Sequence, residues 1–288
     1  MVGFQTTLLD NIEMLITYFG ILVFVFTING SPIYNDINLD KFYDGIEDEF
    51  GEYFEGDMVL TPIQERDIFE ATEGRNGLRN GAKRWPNRTV VYHIEEDNFG
   101  EDELKIIEEG MAEIANKSCI KFRPRKDKEH AVVFKSSANG CFSNVGFNND
   151  DDEESEQVLN LGKGCFKHGT VVHEMLHTLG FYHMQSTYDR DDYIKIVWEN
   201  IKEGTEHNFA KYNNDTVTDF GVPYDYGSVM HYPEKAFSKN GNKTIIPLQE
   251  NAHIGQRNEM SESDVLKLNK MYCEQSEEGE IDVTHRNS

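Results

Sequence analysis

Hydrophobic positions along the 288-residue chain fall into contrasting patterns. Residues 14–28 (MLITYFGILVFVFTI) form an unbroken apolar run, closed by Asn29-Gly30-Ser31-Pro32. A membrane span needs about 20 such residues, so the run is short for one and suits the core of an export signal. Residues 1–13 bring Asp10 and Glu13 and no Lys or Arg, which leaves that signal without its usual positive start; initiation at Met14 would restore the pattern. The expectation is a signal peptide over residues 1–30, with a retained anchor as the alternative. Further on, Thr89–Ile94 is a β-branched and aromatic run that predicts a strand, as do residues 131–134. Leu104, Ile107, Met111 and Ile114 recur at helical spacing between charged residues, and similar patterns cover residues 169–179 and 263–272. Strands first and helices after predict an α+β domain.

Between these segments the pattern fades. Residues 31–75 hold few aliphatic side chains and carry 13 acidic against 3 basic groups, which predicts a segment that folds poorly alone. It ends in Glu73-Gly74-Arg75-Asn76-Gly77, where a trypsin-like protease could cut after Arg75; Arg79 is a second candidate, so the mature chain would begin at Asn76 or Asn80. The organisation expected is an acidic pro-segment at 31–75, one domain over 76–273 and a disordered polar tail at 274–288. Residues 149–156 (NDDDEESE) do not place Gly and Glu at the positions a calcium-binding EF loop requires and read as a solvated surface loop.

Composition narrows the function. A net charge of -24 repels phosphate backbones and anionic lipid, arguing against nucleic-acid partners and a polybasic membrane role. An aromatic content of 11% excludes disorder throughout. The four cysteines, Cys119, Cys141, Cys165 and Cys273, show no CxxC spacing and allow three pairings that residues alone do not separate. Asn87, Asn116, Asn214 and Asn242 head glycosylation sequons. Together with the leader, these predict secretion and no membrane association once the signal is removed.

The chemistry concentrates in His173-Glu174-Met175-Leu176-His177-Thr178-Leu179-Gly180-Phe181-Tyr182-His183. On a helix, His173 and His177 project from one face a turn apart, close enough to ligate one Zn²⁺. Glu174 points about 100° away from His173, too far round to be a ligand but within reach of a water at the metal. Gly180 can end the helix in a left-handed turn and swing His183 back as third ligand. Three protein ligands leave a position open, the mark of a catalytic rather than a structural zinc.

This extended motif, HExxHxxGxxH, resembles that of the metzincin metalloproteases, and the surrounding residues resemble the astacin family. They include Asp189-Arg190-Asp191-Asp192-Tyr193 after Tyr182-His183, and Pro223-Tyr224-Asp225-Tyr226-Gly227-Ser228-Val229-Met230-His231-Tyr232 at the Met-turn. Trp85-Pro86-Asn87, Trp198-Glu199-Asn200-Ile201, Asn208-Phe209, Ile254-Gly255-Gln256 and Tyr272-Cys273 fit as well. The resemblance implies a two-lobed protease domain with a twisted, mostly parallel sheet, an active-site helix and the Met-turn. It implies one zinc on His173, His177 and His183, Glu174 as general base, Met230 as a floor beneath the metal, and Tyr232 as a movable ligand that stabilises the oxyanion. By residues alone, Met230 reads as ordinary core and Tyr232 as a surface aromatic. Disulfides Cys119–Cys273 and Cys141–Cys165 are likewise implied. Phe54-Glu55-Gly56-Asp57 is similar to the family's FxGD, whose Asp takes the place of the catalytic water on zinc in the zymogen.

The function expected is that of a secreted zinc endopeptidase, made as a zymogen, acting on extended protein or peptide substrates laid along a sheet edge. Met184 departs from the family, which usually has Glu there to meet the buried mature N-terminus, and Thr187 replaces a customary Arg. The zinc set is untouched, so catalysis is expected to survive and to tolerate a ragged start. A zinc-binding protein that captures a partner without cutting it is the rival reading.

Overall fold

The computed structural model describes residues 26–28, 31–33, 51, 53–69, 84–148, 156–212 and 218–274. The leader apart from 26–28, the cleavage points after Arg75 and Arg79, most of the acidic loop, the sequon at Asn214 and the tail beyond Glu274 lie outside them. Residues 1–44 and 45–288 form separate units. In the first, β1 (Phe26–Ile28) and β2 (Ser31–Ile33) pair antiparallel, with Phe26 opposite Ile33. No described helix is long and apolar enough to cross a membrane.

The second unit is built on a six-stranded sheet. Its strands are β3 (Met58–Val59), β4 (Thr89–Ile94), β5 (Lys121–Pro124), β6 (Ala131–Lys135), β7 (Cys141–Asn144) and β8 (Glu156–Leu161), in spatial order β3-β7-β8-β6-β4-β5. All neighbouring pairs are parallel except β7 with β8. The parallel β4–β5 pair needs a long crossover, supplied by α2 (Glu101–Lys117). Ile107, Met111 and Ile114 face inward as their spacing predicts, and Glu103 accepts from the Gly100 N–H at 2.8 Å to cap the first turn. This α+β fold interleaves helices with strands rather than placing them last. Strands β5 and β7 escape periodicity because they hold four residues each and β5 is a polar edge, while β8 escapes it because its buried positions include the polar Gln157 and Asn160.

Against the sheet packs α3 (His168–Thr178), buried along almost its whole length. Its last carbonyls would otherwise be orphaned in the core. Trp85 Nε1 donates to Thr178 O at 2.8 Å and the Tyr272 hydroxyl to Leu179 O at 2.9 Å. Gly180 then takes φ +102, a left-handed turn, and a Cβ there would sit 2.9 Å from Met271 Cε. The chain after His183 is mostly irregular, braced by the β9 (Ile194–Ile196) and β10 (Ile245–Pro247) ribbon and by α4 (Glu262–Tyr272). A second core there gathers Met184, Ile194, Phe209, Tyr224, Tyr232 and Ile245. Disulfides join Cys119 to Cys273 and Cys141 to Cys165.

The acidic segment before the domain contributes more than charge. β3 adds to the outer edge of β7, and α1 (Pro62–Phe69) follows it. A capping box starts α1: Thr61 N donates to Gln64 Oε1 and Gln64 N to Thr61 Oγ1. Gln64 Nε2 also reaches Val145 O at 2.8 Å. Met58, wholly buried, packs with Phe54, Leu60 and Ile68 against Val145, Tyr182 and Tyr212. These apolar side chains of the segment are therefore covered by the domain that follows it.

Candidate metal centre

Two turns of chain deliver the histidines. His173 and His177 leave one face of α3, and the Gly180 turn brings His183 opposite them; all three are buried. Their tautomers follow from their outer nitrogens. His173 Nδ1 lies 2.8 Å from Val229 O, and His177 Nδ1 lies 2.8 Å from Phe181 O. A carbonyl only accepts, so each Nδ1 carries the proton and donates it. His183 Nδ1 donates to Glu55 Oε2 at 2.7 Å.

In the neutral form of each ring the Nε2 atom therefore presents a lone pair, and the three point at one another. His177 and His173 Nε2 stand 3.1 Å apart, and His183 and His173 Nε2 3.3 Å. Asp57 closes the set, with Oδ2 3.3 Å from His173 Nε2 and 3.1 Å from His183 Nε2, and Oδ1 3.6 Å from His177 Nε2. Lone pairs at these distances repel unless a cation lies between them. Four donors about 2.0–2.1 Å from a zinc ion in tetrahedral array would stand about 3.3–3.4 Å apart, which these edges match. The residues fit Zn²⁺, and these four alone form such a group among the described residues.

Electrostatics agree. Burial opposes a charge on Asp57, yet His183 and His177 outweigh it and hold its carboxyl well below the usual range. Burial pushes His173 down to about 3, while Asp57 and Glu55, working against the burial of His183, hold it up to about 9. The two carboxylates thus favour positive charge at His183, and a metal ion competes with protons for the same nitrogens.

Residues 228–230 of the Met-turn adjoin the histidines, with Val229 O receiving the His173 Nδ1 proton. Met230 is buried, and its carbonyl accepts from Met184 N at 3.0 Å. Asp264 of α4 fixes the turn by accepting from Ser228 Oγ at 2.6 Å and Val229 N at 2.9 Å. The same carboxylate accepts from Ser261 N at 3.0 Å in the capping box of α4. Tyr232 is fully buried rather than a surface aromatic; its ring lies 4.6 Å from that of His183 and its hydroxyl donates to Glu55 O. Glu174 is buried on α3 beside His173 and belongs to no metal-donor group among the described residues. Met184 is buried with its sulfur 3.2 Å from Lys267 Nζ, at a cavity of about 60 Å³ also lined by Asp264 and Met271. Burial lowers the Lys267 ammonium from its ordinary range, with Asp264 opposing.

The sequence profile of the Astacin peptidase family matches residues 77–273. The chain belongs to the astacin family. Seminal metalloprotease 1 of Drosophila melanogaster is 40% identical over 225 residues, 76% of this chain and 86% of its own length. Zinc metalloproteinase nas-4 of Caenorhabditis elegans is 37% identical over 224 residues, 77% of this chain and 69% of its own. Among solved structures, high choriolytic enzyme 1, a hatching enzyme zinc-protease of the medaka Oryzias latipes, superposes with a TM-score of 0.59 at 35% identity, covering 66% of this chain and 92% of that one. This astacin is a zinc metalloendopeptidase with one zinc per chain.

Three residues that the motif did not assign join its site. Glu55 holds His183, Ser186 donates to Glu55 Oε1 at 2.7 Å, and Asp264 holds the Met-turn. Only Asp264 left a local signal, in Ser261-x-x-Asp264 at a helix start.

Proposed function

We propose that the chain is the precursor of a secreted astacin, blocked by Asp57 until a trypsin-like protease cuts after Arg75. The observation that carries this reading is the carboxylate of Asp57 in the fourth corner of the donor set. Four protein donors make a closed site of the structural kind, and catalysis needs one corner vacated. The pairing of β3 with the edge strand β7 adds to the block, since Met58–Val59 occupies the edge where an extended substrate would bond. Asp57 O also accepts from Ser143 N at 2.9 Å. Two disulfides and the exposed sequon residues Asn87, Asn116 and Asn242 support an extracellular destination and glycosylation.

In the trimmed enzyme His173, His177 and His183 would hold zinc, which supplies Lewis acidity toward water and the scissile carbonyl. Glu174 takes the proton of the attacking water and returns it to the leaving amine. Met230 floors the site. Freed from Glu55 O, the Tyr232 hydroxyl donates to the oxyanion of the tetrahedral intermediate. Removing that hydroxyl with Tyr232→Phe should lower kcat of the trimmed form about 10²- to 10³-fold and leave KM and zinc content near wild type. Steady-state kinetics check this.

Hydrolysis of a denatured protein tests the precursor reading in three forms: the whole chain, the chain cut after Arg75, and the whole chain with Asp57→Ala. The intact chain should be silent, the cut chain active and the variant partly active without cleavage. An intact chain as active as the cut one would overturn the reading. Met184 and Lys267 bear on the new N-terminus: the sulfur already receives an ammonium from within the domain. Two extra residues before Asn76 are therefore expected to leave hydrolysis unchanged, and their abolishing it would show that a free, exact N-terminus is required.

A further inference from the structure

The three zinc-facing imidazoles are not held alike. His173 and His177 are oriented by Val229 and Phe181, carbonyls of the protease domain itself. His183 is oriented by a side chain of the acidic segment, Glu55. We infer that Glu55 is a positioning residue of the precursor's metal centre, fixing the His183 ring so that the metal is held more tightly before the segment leaves than after. The inference rests on the precursor reading and extends it from blocking the metal to retaining it.

Both carboxylate oxygens of Glu55 and its carbonyl are engaged. Oε2 receives the His183 Nδ1 proton and Oε1 the Ser186 hydroxyl, both at 2.7 Å, while the backbone carbonyl receives the Tyr232 hydroxyl. The residue is 0% exposed, and a carboxylate so enclosed is stable only when paired in this way. It is also held at φ +47, a left-handed conformation uncommon for a residue with a side chain, followed by Gly56 at φ +87. That reversal sends Glu55 and Asp57, two residues apart, to opposite nitrogens of one imidazole: Glu55 to Nδ1 and Asp57 to Nε2. A carboxylate on the outer nitrogen fixes the tautomer and ring plane and makes the inner nitrogen a stronger donor, and losing such a partner costs about 10- to 100-fold in metal affinity. Cutting away the segment removes that partner from His183 alone.

Competition with a chelator, read on zinc-loaded whole chain and on chain cut after Arg75, tests the inference. Glu55→Ala in the whole chain should release zinc about 10- to 100-fold more readily, and Glu55→Gln, which keeps an acceptor but no charge, should fall between it and wild type. With cobalt in place of zinc, the visible spectrum of the Glu55→Ala chain should shift although Asp57 remains. Ser186→Ala discriminates further, because Ser186 stays with the protease domain. It should loosen zinc in the whole chain, where it steadies Glu55, and leave the cut chain unchanged. Equal zinc retention in wild type and Glu55→Ala would overturn the inference, as would a Ser186→Ala effect of the same size in both forms. Neither result touches the precursor reading, which fails separately if the intact chain hydrolyses protein.

Discussion

Glu174→Ala in the trimmed enzyme is expected to lower hydrolysis about 10²- to 10⁴-fold while zinc stays bound. The separation of the two effects follows from α3. His173 and Glu174 are neighbours in sequence but leave the helix about 100° apart, so the carboxylate lies outside the group of Asp57, His173, His177 and His183. Its loss removes the proton acceptor and none of the metal donors. Metal content and single-turnover hydrolysis, measured on one preparation, decide it. Zinc lost along with activity would make Glu174 a support of the metal, and activity retained would move the base elsewhere.

The second large effect concerns stability. Replacing Cys119 and Cys273 with Ala should cost about 5 kcal/mol in the chain-entropy account, because the bridge closes a sequence separation of 154. For a domain of this size, that corresponds to a fall of about 10–20 °C in Tm. Cys141–Cys165 closes a separation of only 24, and its removal should cost about 3.5 kcal/mol. Calorimetry on both double variants checks the order as well as the sizes. The longer bridge ties the end of α2 to the end of α4, where Asn269 Nδ2 also reaches Lys117 O at 2.9 Å. A smaller loss from Cys119/Cys273 than from Cys141/Cys165 would show that these contacts already hold the two helix ends together.

Much of the fold is written locally in the chain. The helix α2 is legible because Leu104, Ile107, Met111 and Ile114 repeat with the helical period. The histidine triad is legible because a turn of helix and a glycine fix the offsets between its members. Strands β5 and β7 are not, since four residues are too few to establish alternation, and β8 is not, because its buried positions include the polar Gln157 and Asn160. Tyr232 could not be placed by type alone: its burial depends on Phe209, Phe237 and His183, which come from separate parts of the sequence. Glu55 lies in an acidic stretch where one more carboxylate carries no message until the fold sets it against His183, 128 positions away.

The contacts of Glu55 and Asp57 reach the metal centre from a segment on the same chain as the site it covers. Joined covalently, such a segment would compete with substrate at an effective concentration in the millimolar range. In the proposed precursor, once the link is cut the same contacts would act only at the concentration of free peptide. Dilution would then keep the enzyme open without any contact having weakened. A device of this kind is set once per molecule, so the amount of active enzyme would be governed by how much precursor is made and cut.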